Sequence, residues 1–153
     1  MKQLLLNVAK RFMFENPGKR AGLAELTRKL EQSKVTLLTR FAAAEGGEAN
    51  RKKLRHIIAI ERWGQCRLKV ALGEPFVKDE NYAYKPDRET SWQTLQTQFA
   101  ATRDETIQLA WQLGGADPSQ SVIHNDFGEL SLTGWLAYLH SHANFEAKRV
   151  KPA

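Results

Sequence analysis

The chain has 153 residues, 42% of them apolar, one cysteine (Cys66) and a formal net charge of +6. That length and apolar fraction exclude a disordered chain and give one domain with a real core over residues 1–153, residues 1–18 forming an N-terminal extension. A single cysteine excludes an internal disulfide framework and a cysteine-built zinc site, and fits a reducing cytoplasm, the expected location.

No apolar run approaches the roughly 20 residues that span a bilayer, so no membrane role is expected. The Leu4-Leu5-Leu6 run is too short, and too soon broken by Lys10 and Arg11, to serve as a signal peptide. The positive charge gathers at Lys19-Arg20, at Arg51-Lys52-Lys53 with Arg55, and at Lys148-Arg149 with Lys151. No helix-turn-helix, RNP or zinc-finger signature accompanies it, so the clusters read as solvated helix ends rather than a nucleic-acid site.

Residues 3–14 form a short basic amphipathic helix, expected to pack on the rest of the fold and to end at Asn16-Pro17-Gly18. From about 22 to 44, Leu23, Leu26, Leu30, Leu37 and Phe41 recur at helical spacing, and Glu45-Gly46-Gly47 closes that helix. From about 48 to 72, Ile57, Ile60, Trp63, Leu68 and Ala71 form the inner face of a second long helix. Residues 74–88 are irregular but carry Phe76, Tyr82 and Tyr84, which reads as a packed crossover. Thr90 or Ser91 caps a third helix with Trp92, Leu95, Phe99, Thr106, Leu109 and Leu113 on one face. Residues 121–129 read as an ordered loop, and Ser131 or Thr133 starts the last helix.

The fold class is therefore all-α, a four-helix bundle with long crossover loops and a short N-terminal helix. The short turn at Gly46-Gly47 predicts that the first two long helices are antiparallel neighbours.

The last helix carries the chemistry. Leu132, Trp135, Leu139, His142, Glu146 and Val150 lie within about 60° of one direction on the helical wheel. A core-facing stripe normally rejects a carboxylate, because burying it unpaired is costly. His142 and Glu146, four residues apart, can reach one point. His140 points about 140° away from Trp135 and reads as solvent-facing. On the second long helix, His56 shares its face with Ile60, Trp63 and Val70. His56, His142 and Glu146 thus make a two-histidine, one-carboxylate set of the kind that holds zinc or non-haem iron(II) with positions left open. The competing reading of such a set is a hydrogen-bonded buried pair. His124 precedes Asn125-Asp126-Phe127-Gly128 and reads as structural. Cys66 lies at the edge of the inner face with no histidine one turn away, which argues against a nucleophile.

Three stretches, Leu54 to Trp63, Phe127 to Leu136 and His142 to Glu146, resemble the DinB/YfiT superfamily. The resemblance runs from about residue 22 over nearly the whole remaining chain. It implies a four-helix bundle whose members hold zinc or nickel through one histidine of the second helix and an H-x-x-x-H pair of the last. His56 and His142 match two of those ligands, and Glu146 stands where the second histidine of the pair usually is. The resemblance further implies a divalent-metal protein acting as a transferase with a low-molecular-weight thiol on an electrophilic small molecule. The rival reading is a non-catalytic, metal-free stress-response or DNA-damage-associated module. A homodimer is the assembly expected.

Overall fold

The computed structural model describes residues 1–153. Its elements are α1 (Lys2–Lys10), a π-helical turn (Arg11–Glu15), α2 (Asn16–Ala42), α3 (Glu48–Ala71), α4 (Trp92–Gln112), the strands β1 (Ser121–His124) and β2 (Gly128–Ser131), and α5 (Leu132–Ala147). The protein is mostly helical, and no helix is long and apolar enough to cross a membrane. The four long helices form over the stretches expected, and their apolar stripes face one another in the core. Leu30, Phe41, Ile57, Leu68, Leu95, Phe99, Trp135 and Leu136 are all fully buried.

The helices stand in the cyclic order α2, α5, α3, α4, with α2 and α3 each packed on both α4 and α5. This corrects the expectation that the first two long helices are direct neighbours. The short turn at residues 43–47 reverses the chain, but α2 and α3 take diagonal places. The most apolar helix, α5, fills one position between them and α4 the other.

Two further expectations fail for local reasons. The chain does not turn at Asn16-Pro17-Gly18. The π-helical turn before it widens the backbone where Pro17 would otherwise clash with the preceding carbonyls, so helix runs on through Pro17. The break comes at Gly22, whose φ of 78° and ψ of 169° leave the helical region. The expected packing of residues 3–14 holds only at their end, where Phe14 is buried against Phe127 and Tyr138; α1 itself buries none of its residues, and Leu4, Leu5 and Phe12 stay exposed. Residues 121–129, expected as a loop, belong to an antiparallel hairpin that runs to Ser131, in which Val122 pairs with Leu130 and His124 with Gly128. Val122 and Leu130 point into the core, and the Trp135 indole N–H donates to the Val122 carbonyl at 2.9 Å. Short strands with so few alternating residues give little periodicity to read.

The crossover after α3, expected to be packed, is anchored only at a few points, around Asp79, Tyr84 and Pro86, while Phe76 and Tyr82 stay exposed. Arg67, only 1% exposed, donates to the Val77 and Asp79 carbonyls and to Asn125 Oδ1. Its guanidinium lies 4.8 Å from the Trp63 ring centroid and 4.7 Å from that of Phe76. Tyr84 donates to Asp79, which holds the phenol's pKa well above its ordinary value. Ser91 caps α4 by accepting from the Thr94 amide at 3.1 Å, and Ser131 caps α5 by accepting from the Gly134 amide at 3.0 Å.

Candidate metal centre

The site lies where the first half of α3 meets the second half of α5. Two features bring these helices together. Gly64 on α3 faces Leu139 so closely that a Cβ there would sit 2.5 Å from a Leu139 methyl. Asn50, near the start of α3, donates to the Lys151 carbonyl at 2.9 Å and accepts from the Lys151 amide at 3.0 Å, tying down the chain just beyond α5. Neither residue was singled out in the sequence. A glycine inside an unbroken helical pattern is the one signal that could have marked the close approach.

Between these ties His56 and His142 meet, with their Nε2 atoms 3.2 Å apart and their rings inclined at 71°. Together with a Glu146 carboxylate oxygen, the candidate ligand atoms lie within 4.8 Å of one another, all on half-buried residues. The three residues named from the sequence thus come together at one point.

Two nitrogens each about 2.05 Å from a tetrahedral ion lie about 3.3 Å apart, so the observed spacing of the imidazoles fits a shared divalent ion. No two ligand atoms about 2.1 Å from one ion can be more than about 4.2 Å apart, so a carboxylate at the far end of the observed range closes in by side-chain rotation. Glu146 has the freedom to do so. Its carboxylate takes only two long contacts from Arg149 Nη1, both at 3.3 Å.

Electrostatics also suit the ligand role, since imidazole binds a metal only when neutral. Burial lowers the His142 pKa to about 3, with His56 and His124 adding to the effect. Burial also lowers the pKa of His56; Lys85 and Arg149 push the same way, while Glu146 opposes them. Both imidazoles are therefore neutral at pH 7.

Each side of the cluster opens on a cavity. His56 and Glu146 line a cleft of about 340 Å³ whose rim carries Lys52, Lys53 and Arg149. His142 lines a cavity of about 430 Å³ walled by Phe14, Phe127, Tyr138 and Phe145. One side is cationic and the other largely aromatic.

The remaining histidines are outside the cluster, although His140 lines the aromatic cavity with His142. His140, expected to face solvent, is half-buried, and its pKa falls to about 4 through burial and the nearby positive charge of Arg103 and Lys29. The wheel assumed that α5 has a solvent face. In fact α2, α3, β2 and the π-helical turn pack around it and leave almost none. His124, 2% exposed, plays the structural part expected of it. Its Nδ1 accepts from the Asp126 and Phe127 amides and so shapes the hairpin turn. Trp63, Phe127, Trp135 and Tyr138 surround its ring at centroid distances of 4.6 to 5.2 Å. Cys66 is free and half-buried, with no histidine beside it.

Comparison of the chain with curated proteins and with solved structures gave no match in either case. A family model, that of the DinB superfamily, matches residues 17–145. The match contains His56 and His142 and stops one residue short of Glu146. With the greater part of its length matched, the chain belongs to the DinB superfamily.

Proposed function

We propose that the protein is a divalent-metal-binding bundle of the DinB/YfiT type that transfers a low-molecular-weight thiol to an electrophilic small molecule in a reducing cytoplasm. The observation that carries the reading is the pair of neutral imidazoles 3.2 Å apart beside a movable carboxylate. His56, His142 and Glu146 are the residues that would hold the ion, zinc or nickel suiting imidazole donors and iron(II) suiting the mixed set. A bound divalent ion would supply the positive charge that favours thiolate over thiol at neutral pH.

The chain's own residues supply binding and orientation. Lys52, Lys53 and Arg149 on the rim of the first cleft suit the carboxylates that such thiols carry. Phe14, Phe127, Tyr138 and Phe145 offer the electrophile an apolar wall that keeps water away from the reacting carbon. A sulfur–carbon bond then forms as the leaving group departs with its electron pair.

The test is thiol conjugation to a chromogenic haloarene by zinc- or nickel-loaded protein. Turnover is expected with the loaded protein and is lost in Glu146→Ala. Metal uptake without conjugation of any thiol tried would remove the transferase reading.

A second reading is favoured by two specific contacts. The His56–His142 hydrogen bond and the Arg149–Glu146 ion pair satisfy these groups without an ion. On that reading the protein is a metal-free, non-catalytic stress-response module, and it takes up no metal from dialysis.

A further inference from the structure

The basic residues at the start of α3 do more than end a helix in solvent. Arg51, Lys52 and Arg55 lie within one helical turn and converge with Lys85 and Arg88, from the loop before α4, on a cavity of about 360 Å³. Glu48 is the only acidic residue in its lining. Five cations against one carboxylate give a net charge of +4, most of the +6 carried by the whole chain.

Most of these cations are left without a carboxylate partner inside the fold. Glu48 accepts from Arg88 at 2.9 Å, but Arg51, Lys52 and Lys85 have no carboxylate partner. The Arg51 Nε atom is buried and has no hydrogen-bond partner, a group whose satisfaction calls for an acceptor. Arg55 is oriented rather than neutralised. Its Nε donates to the Pro86 carbonyl at 2.9 Å, which fixes the plane of the guanidinium and links α3 to the Lys85 loop. Like charges brought together in this way repel, and a folded chain retains such an arrangement more readily where an anion compensates it.

We infer that this cavity is a binding site for a phosphate-bearing small molecule. Arg51 and Arg55, one turn apart on the same helix face, present two guanidinium forks, and Lys85 adds a point charge from the facing loop. Donors arriving from several directions match the several oxygens of a phosphate, whereas one guanidinium suffices for a carboxylate. The first turns of α3 add the positive end of the helix dipole. The volume exceeds that of a single phosphate and falls in the range of small-ligand pockets, which points to a phosphate ester or a diphosphate. The cations gather round one cleft, open to solvent on one side, rather than along a stripe, and that convergence favours a small ligand over a nucleic-acid backbone. Lys52 lines both this cavity and the cleft of His56 and Glu146, so a ligand anchored here lies beside the candidate metal centre.

The experiment is calorimetric titration of the full-length, metal-free protein with inorganic pyrophosphate. It compares wild type with Arg51→Gln/Lys85→Gln and with the charge-matched control Lys2→Gln/Arg20→Gln, whose two residues are exposed elsewhere. Saturable binding by wild type is expected, weakened at least about tenfold in the first variant and unchanged in the control. Absence of binding by wild type, or equal weakening in both variants, would overturn the assignment. A short DNA duplex that binds more tightly than pyrophosphate and is lost in the same variant would replace the small ligand with nucleic acid. The metal plays no part in the titration, so the result is independent of the proposed function.

Discussion

Two polar clusters sit inside this fold, and they are built on opposite rules. In the first, Arg103 of α4 and Glu61 of α3 are 0% and 1% exposed, and both carboxylate oxygens accept from the guanidinium. Ser33 Oγ and the Leu30 carbonyl of α2 accept from Arg103 Nη1. The charges there are matched and every guanidinium nitrogen has a partner, so the pair joins three helices and serves as a structural tie. In the second, His56, His142 and Glu146 are only half-buried, their imidazoles are neutral, and the carboxylate is loosely held. Completeness marks the first cluster as structural; spare lone pairs and neighbouring cavities mark the second as a site.

The comparison breaks most visibly if the first cluster proves dispensable. Removing one partner, as in Glu61→Ala or Arg103→Ala, leaves a buried charge unpaired and is expected to cost about 3–5 kcal/mol in urea unfolding. Glu61→Leu/Arg103→Met should regain most of that loss. A single variant with wild-type stability would mean that water reaches the pair.

Acid should expose the next largest effect. Burial lowers the His124 pKa to about 4 from 6.5, so between those values the unfolded chain binds a proton that the folded chain does not. Stability is therefore complete above about pH 6.5 and falls as the pH drops toward 4, by on the order of 3 kcal/mol from this residue. His124→Asn, which can still accept from the Asp126 amide, should make that limb shallower, His140 and His142, whose pKa values burial also lowers, supplying the rest. An unchanged limb would show that His124 contributes nothing to it.

A smaller effect sharpens the role of helix approach. Gly64→Ala should cost about 1–3 kcal/mol, because Leu139 must move, and should weaken metal uptake by separating His56 from His142. Reduced stability with unaltered uptake would detach the site from that contact.

Much of this was legible in the sequence. The stripes of α2 to α5 and the cap at Ser91 follow helical periodicity and local chemistry, which act over a few residues. His56, His142 and Glu146 were legible for the same reason, since a polar group on an apolar stripe is conspicuous. What escaped depends on neighbours distant in the chain. The burial of His140 follows from elements wrapped around α5, and the diagonal placing of α2 and α3 from the packing of all four helices. The basic cavity escaped too. Arg51 and Arg55 read as a solvated helix start until the loop carrying Lys85 and Arg88 is folded against them.

The second cluster should behave as a site and not as a support. His142→Ala is expected to change the stability of the metal-free protein by less than about 1 kcal/mol, since a half-open polar cavity readily admits water. Its effect should fall on metal. The most direct test is elemental analysis of untagged protein after dialysis against zinc or nickel, for wild type, His142→Ala and Glu146→His. The account predicts about one ion per chain in wild type, none in His142→Ala, and equal or tighter binding in Glu146→His, where imidazole replaces carboxylate. Wild-type protein that takes up no metal, with or without uptake by Glu146→His, would contradict it.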